Sequence, residues 1–215
     1  MLTLISATPS PYARKVRIAL AEKGIPFNLQ TEVPWDSTTK TPEYNPLEKL
    51  PVLILEDGTA VYESHYIMEW IEAKYPEHPL LPPTSSINDR LFAKQVEVVA
   101  DGTCDALVLA FFEKMRERDK QSKPWIERQM RKVDGGLKAL AAWVDAKQGD
   151  YLTPGGFGLA DIAAGSLCGY LAVRWPDHGW QKQYPKLRKY WEELEKRQSF
   201  KDTVPSAQTM KDQVV

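Results

Sequence analysis

Taken as a pattern of apolar and polar positions, the chain opens on a short β-type run, Leu2 to Ser6. Ser10 and Pro11 then supply a helix start, Val16, Ala19 and Leu20 an apolar stripe, and Lys23-Gly24 followed by Pro26 a stop. Phe27, Leu29, Thr31 and Val33 alternate with polar neighbours, the period-2 mark of a half-buried strand. These three elements make a β-α-β unit and imply a parallel strand pair. Pro34 to Pro46 has no clear period. From Pro51 the pattern predicts a strand (Val52 to Leu55), an Asp57-Gly58 turn and a short strand (Ala60 to Tyr62). A helix opened by Ser64 follows, with Ile67, Trp70 and Ile71 on one face.

Pro76, Pro79, Pro82 and Pro83 fall between Tyr75 and Asn88, where neither a helix nor a central strand tolerates them. Beyond them every periodic segment is helical: Leu91 through Met115, then Met130, Val133, Leu137, Leu140 and Val144, then Ile162 to Leu171, then Leu187, Tyr190, Trp191 and Leu194. A mixed sheet followed only by helices is natural for two domains. The expected architecture is therefore α/β plus all-α, with a β-α-β, β-β-α domain over 1–78, a linker over 79–88 and a helical bundle over 89–215.

Composition narrows the partners. Lys and Arg total 28 against 29 Asp and Glu, a formal charge of -1, and the charges are interspersed, which argues against nucleic acid. Cys104 and Cys168 lie far apart with no CxxC or Cys/His spacing, so neither a disulfide framework nor a zinc site is expected and both read as helical packing. His65, His78 and His178 are isolated and read as surface or packing residues, so no metal is expected. Met1 to Ser10 lacks a basic segment followed by an apolar run, and no stretch approaches the roughly 18 apolar residues of a membrane span. The expectation is a soluble cytoplasmic protein without a membrane partner.

Chemistry concentrates first at Ser10-Pro11. A serine at a helix mouth sets its hydroxyl beside unpaired N–H groups and the positive end of the helix dipole, where it can stabilise an anion. The plainer reading is that Ser10 only caps the helix. Leu50-Pro51 opens a strand further on, and Glu63-Ser64 stands at the next strand-to-helix junction.

In this order and at these separations, Pro9-Ser10-Pro11-Tyr12-Ala13-Arg14-Lys15-Val16-Arg17, Asn45-Pro46-Leu47-Glu48-Lys49-Leu50-Pro51-Val52-Leu53 and Asp57-Gly58-Thr59-Ala60-Val61-Tyr62-Glu63-Ser64 resemble the glutathione transferase superfamily, in its serine-type subgroup. The resemblance covers nearly the whole chain. It implies a thioredoxin-like first domain, glutathione as co-substrate without a metal, and a homodimer acting on a small-molecule electrophile. It further implies that Ser10 hydrogen-bonds the glutathione sulfur and that Leu50, before a cis Pro51, pairs its main chain with the cysteinyl backbone. Glu63 and Ser64 would grip the γ-glutamyl end, and Lys49 would face the glycyl carboxylate.

A serine hydroxyl titrates too high to take a proton from a thiol near pKa 8.5, which at pH 7 is ionised to roughly 3%, so Ser10 can only donate to a thiolate. A charge-assisted hydrogen bond of about 1.5 to 3 kcal/mol, with about 0.3 to 1 from the helix end, lowers that pKa by roughly one to three units. The thiolate then becomes the main species.

Some classes of the superfamily use a tyrosine, but theirs ends the first strand, where this chain has Ser6, Ala7 and Thr8; Tyr12 lies beyond it. The omega-type alternative needs a cysteine at Ser10, while Thr8 or Ser6 could add a secondary hydroxyl. Gly158-Leu159-Ala160-Asp161 resembles the family's helix-start motif with the capping hydroxyl missing, which makes Asp161 structural. Glu48 stands where relatives commonly have Gly. By resemblance, Asp101 on the first long helix would reach the γ-glutamyl amine of a neighbouring subunit, against a plain surface acid. The second-substrate pocket is expected between Tyr12, Trp35 and the inner face of that helix, at Asp105, Leu109 and Phe112. Two functions follow: attack of a glutathione thiolate on an electrophilic or peroxidic small molecule, or a binding or regulatory protein of the same fold without turnover.

Overall fold

A computed structural model describes residues 1–212. The chain divides into two compact units. The first is Met1–Leu81 with Gly169–Pro176 and residues 195–212; the second is Pro82–Cys168 with Asp177–Leu194.

The first unit is built on four strands, β1 (Leu2–Ser6), β2 (Phe27–Thr31), β3 (Val52–Ile54) and β4 (Ala60–Tyr62), in the order β2-β1-β3-β4. β1 and β2 run parallel, and β3 is antiparallel to both β1 and β4. Helices α1 (Pro11–Glu22), α2 (Thr41–Tyr44) and α3 (Ser64–Lys74) complete the thioredoxin-like order. Leu4, Ile5, Val52 and Leu53 are sealed in the sheet's core, while Val16, Ala19 and Leu20 bury the stripe of α1, which packs on α3. β2 departs from the half-buried strand expected of its alternation. It stops at Thr31 and lies at the sheet's edge with every residue after Phe27 exposed, Leu29 to 47%, because nothing among the described residues covers its face. On α3 the fully buried partners of Ile67 are Met68 and Ile71, while Trp70 is half-buried and meets Tyr75 edge-on.

The second unit holds α4 (Ile87–Met115) and α5 (Lys123–Ala146), packed along each other, with α7 (Trp180–Gln183) and α8 (Pro185–Leu194). Gly136 of α5 permits the close approach, since a Cβ there would collide with Thr103 of α4. α6 (Leu159–Arg174) begins in this unit and ends in the first. Cys104 and Cys168 are free and buried, as expected of packing residues. Among the described residues no helix is long and apolar enough to cross a membrane.

The short α9 (Gln198–Lys201), with the residues on either side of it, is fastened to α1. Arg14, only 1% exposed, directs Nη2 to both carboxylate oxygens of Glu195 at 2.9 Å and to the Phe200 carbonyl at 3.3 Å, and its guanidinium lies over the Phe200 ring. Its Nη1 is buried without a hydrogen-bond partner among the described residues and faces Gly169, where a Cβ would collide with it. Arg197 pairs with Glu22 at 2.7 Å, and Ser199 donates to the same carboxylate. Burial would push Glu22 up, but the hydrogen bonds from Arg197 and Ser199 outweigh it and hold the carboxyl below its ordinary value.

Candidate functional site

The strand register brings the three candidate stretches together. Ile5 sits opposite Val52, and Val52 opposite Tyr62. One step past that row lie the end of β1, the approach to β3 and the end of β4. The turn leading to Ser10, the Leu50-Pro51 peptide and the Glu63-Ser64 junction therefore share one end of the sheet, with the N-termini of α1 and α3.

Ser10 is the N-cap of α1. Its extended backbone (φ -65°, ψ 119°) follows a turn in which its N–H donates to Ala7 O at 3.1 Å, and Pro11 takes the first helical position, where no N–H is needed. Ser10 Oγ accepts from Ala13 N at 3.1 Å. The hydroxyl proton takes no part in that bond and can be donated outward from a half-buried position. The secondary hydroxyls are otherwise engaged: Thr8 Oγ1 donates to Ser206 O at 3.1 Å, and Ser6 Oγ leans on its neighbour's carbonyl, Ala7 O, at 3.4 Å.

The Leu50-Pro51 peptide is cis, as the resemblance implies. Leu50 is buried with Ile5, Ala7 and Val52, and Tyr44 packs against the group. No hydrogen bond among the described residues takes up its main-chain N–H or carbonyl, so its backbone retains both groups for a partner. The approach to it is held by Asn45, a fully buried residue to which sequence reasoning assigned no role. Asn45 Oδ1 accepts from Leu47 N at 2.9 Å and Nδ2 donates to Lys49 O at 2.8 Å, an Asx turn that the Asn45-Pro46 pair signals. Glu48 inside this turn takes φ 54°, the left-handed region that glycine occupies at least cost. The loop thus keeps a glycine-like shape with a glutamate in it. Lys49 is exposed.

Glu63 carries a second left-handed backbone, φ 71°, at the start of α3. A non-glycine there is strained, and such strain concentrates at functional sites. Its carboxylate accepts from Ser64 Oγ at 3.2 Å and from His65 N at 3.3 Å, and meets His65 Nδ1 at 3.2 Å. His65 is therefore not isolated, as expected, but folded back on an acid two residues away by the tight helix start. Hydrogen bonding from His65 holds the Glu63 carboxyl down at about 2, so it is ionised at neutral pH. Ser64 is buried at the first helical position.

The remaining candidates divide between the units. Tyr12 is half-buried on α1, and Trp35 is exposed in the loop after β2. Asp105, Leu109 and Phe112 share a face of α4, on which Asp105 is exposed, Leu109 is 45% exposed and Phe112 is half-buried against Phe111. The side of α4 buried within the second unit carries Val96, Ala100, Cys104 and Leu107. Asp101, one turn before Asp105, is 7% exposed and is not a plain surface acid.

At the start of α6, Asp161 behaves as the capping motif predicts. Its Oδ2 accepts from Gly158 N at 2.8 Å and its Oδ1 from Leu152 N at 2.9 Å and from Tyr190 OH. Burial pushes its carboxyl up, against these hydrogen bonds.

Residues 9–74 match the glutathione S-transferase N-terminal domain and 123–193 the glutathione S-transferase C-terminal domain. The chain is 54% identical to a glutathione S-transferase from Methylobacterium radiotolerans, solved in complex with glutathione sulfonate. That alignment covers 100% of this chain and 99% of the other at a TM-score of 0.95. A glutathione S-transferase from Methylobacillus flagellatus, solved with glutathione bound, is 36% identical over 95% of this chain and 100% of its own, at a TM-score of 0.88. The uncharacterized GST-like protein YibF of Escherichia coli is 34% identical over 95% of this chain and 98% of its own.

Proposed function

The chain belongs to the glutathione S-transferase family, and from that premise we propose that it binds glutathione at the shared end of the sheet and turns its thiolate on an electrophilic or peroxidic small molecule. The observation that supports this most is the convergence there of Ser10, with a proton to give, and Leu50, with an unengaged main chain. In this reading the cysteinyl backbone pairs with Leu50 as an added strand would, which places the sulfur near Ser10. Glu63 pairs the peptide's ammonium, Ser64 at the head of α3 receives the γ-glutamyl carboxylate, and Lys49 faces the glycyl carboxylate. Ser10 then donates to the thiolate, while water or a solvent base takes the thiol proton.

The rival reading, a binder without turnover, would be favoured by drift from the family's pattern at Glu48 and Gly158. Glu48 holds the left-handed φ that glycine favours and the Gly158 N–H still meets Asp161, so neither departure supports drift. The same family reading proposes a homodimer; sedimentation tests it, and in a dimer Asp101→Asn should raise KM for glutathione if Asp101 reaches across.

The deciding experiment titrates the glutathione thiol on the protein by thiolate absorbance while a panel of electrophiles and hydroperoxides is tested for turnover. The enzyme reading expects a bound thiol pKa roughly one to three units below 8.5 and turnover with at least one substrate. Binding without turnover, at an unshifted thiol pKa, would establish the rival.

A further inference from the structure

Ser10 is the fourth residue of the turn Ala7-Thr8-Pro9-Ser10, closed by Ser10 N to Ala7 O at 3.1 Å. This turn helps set where the Ser10 hydroxyl enters the site, and two of its four residues can do little to anchor it to the rest of the unit: the ring of Pro9 fixes its own φ but leaves no N–H to donate, and Ala7 offers only its main chain. Thr8, at the corner, is clamped from outside. Its carbonyl accepts from Ser206 N at 3.3 Å, and its Oγ1 donates to Ser206 O at 3.1 Å. This reciprocal bridge joins residues 198 apart in sequence.

Ser206 is itself held on both sides. Upstream, Thr203 accepts from Arg14 Nε at 3.4 Å and its hydroxyl donates to Ser199 O at 2.8 Å. Downstream, Gln208 Nε2 donates to Glu32 O at 3.0 Å, Lys211 N donates to the buried Asp36 Oδ1 at 2.8 Å, and Asp212 Oδ2 accepts from Ser37 N. The stretch 203–212 is thus a strap fixed at both ends within the first unit, touching the catalytic turn at one residue.

We propose that Thr8 and Ser206 are positioning residues for Ser10, the strap fixing the corner of the Ala7–Ser10 turn so that the serine hydroxyl is held toward the thiolate. The inference rests on the reading of Ser10 given above. The Ser10 Oγ–Ala13 N bond fixes only the oxygen's distance from the helix; the direction of approach depends on the turn. Displacement by about 1 Å is enough to forfeit much of a catalytic contact.

The test compares three variants with the wild type in bound-thiol pKa, kcat and KM for glutathione. Thr8→Val removes the hydroxyl donor and keeps the branched shape; Thr8→Ser restores the donor; a chain ending at Pro205 removes the bridge and its downstream anchors together. Thr8→Val and the shortened chain should raise the bound-thiol pKa by about half to one unit and lower kcat threefold to tenfold at pH 7, with KM within about twofold. Thr8→Ser should return to wild-type values. In a Ser10→Ala background neither change should move the pKa further, since there is then no hydroxyl to position. Should the shortened chain fail to fold, Thr8→Val and its serine rescue carry the test. An unmoved pKa in Thr8→Val, or an equal effect with and without Ser10, overturns the positioning role while leaving Ser10 intact. A wild type that binds no glutathione overturns the reading of the site, and the positioning role with it.

Discussion

Two helix starts in this chain use nearly the same parts and end in opposite states. At α1, Ser10 caps with an oxygen that accepts one N–H, remains half-buried and retains a proton to donate. At α6, Asp161 is sealed from solvent, and its carboxylate receives Gly158 N, Leu152 N and Tyr190 OH. The first has hydrogen-bonding capacity left over; the second has spent it on the fold. A capped helix can serve chemistry only where the cap is unsaturated and reachable, and burial with full satisfaction turns the same device into a structural joint. The start of α3 stands between them: Glu63 is a carboxylate like Asp161 but solvent-facing like Ser10, and its pKa moves down where Asp161's moves up.

The sharpest way to break this contrast is to remove the saturated cap. Asp161→Ala strands two buried N–H groups and a buried tyrosine hydroxyl, and should cost about 3 kcal/mol or more in urea denaturation, with glutathione affinity unchanged in the folded fraction. Lost binding at an unchanged midpoint would place Asp161 in the site instead. Ser10→Ala should do the reverse. Conjugation at pH 7 falls roughly tenfold to a hundredfold with a one- to two-unit rise in thiol pKa, while the fold loses only about 1 kcal/mol. A stability loss as large as that of Asp161→Ala, with an unmoved rate, would make Ser10 a cap and nothing more.

The smallest effect concerns Glu63. Its folded pKa of about 2 lies below its ordinary 4.5, so its contribution to stability is fully present above pH 4.5 and is lost as pH falls toward 2. Glu63→Gln should flatten the melting temperature across that window and lower it modestly at pH 7, the two proteins converging as pH falls toward 2. An identical acid limb in both proteins would show that the carboxylate is not held by its hydrogen bonds to Ser64 and His65.

Most elements were legible because their signals are local. Pro11 after Ser10, the Asp57-Gly58 turn and the stripes of α1, α3 and α5 announce themselves within a few residues, and the candidate residues Ser10, Leu50, Glu63 and Ser64 fall where those elements meet. What escaped is non-local or brief. The helices α2, α7 and α9 span four residues each, too short for a period to emerge. Alternation in Phe27 to Val33 could not reveal that β2 would lie at the edge of its sheet. Nor does anything near Thr8 foretell Ser206, because a hydrogen bond leaves no trace in the sequence around either partner. The left-handed backbones of Glu48 and Glu63 were equally hidden, since glutamate is not a residue that advertises positive φ.

The guanidinium wedged against Gly169 has an evolutionary consequence. With Arg14 seated on Glu195 and Phe200, any side chain at 169 must displace the guanidinium tip, so alanine at 169 disturbs those bonds on this background and is better tolerated after Arg14 has become smaller. The two positions are therefore epistatic across 155 residues, and the order of substitution matters: a change at 169 costs more when it comes first. Among relatives, arginine at the first position should be accompanied by glycine at the second, and the pair should be exchanged together or not at all.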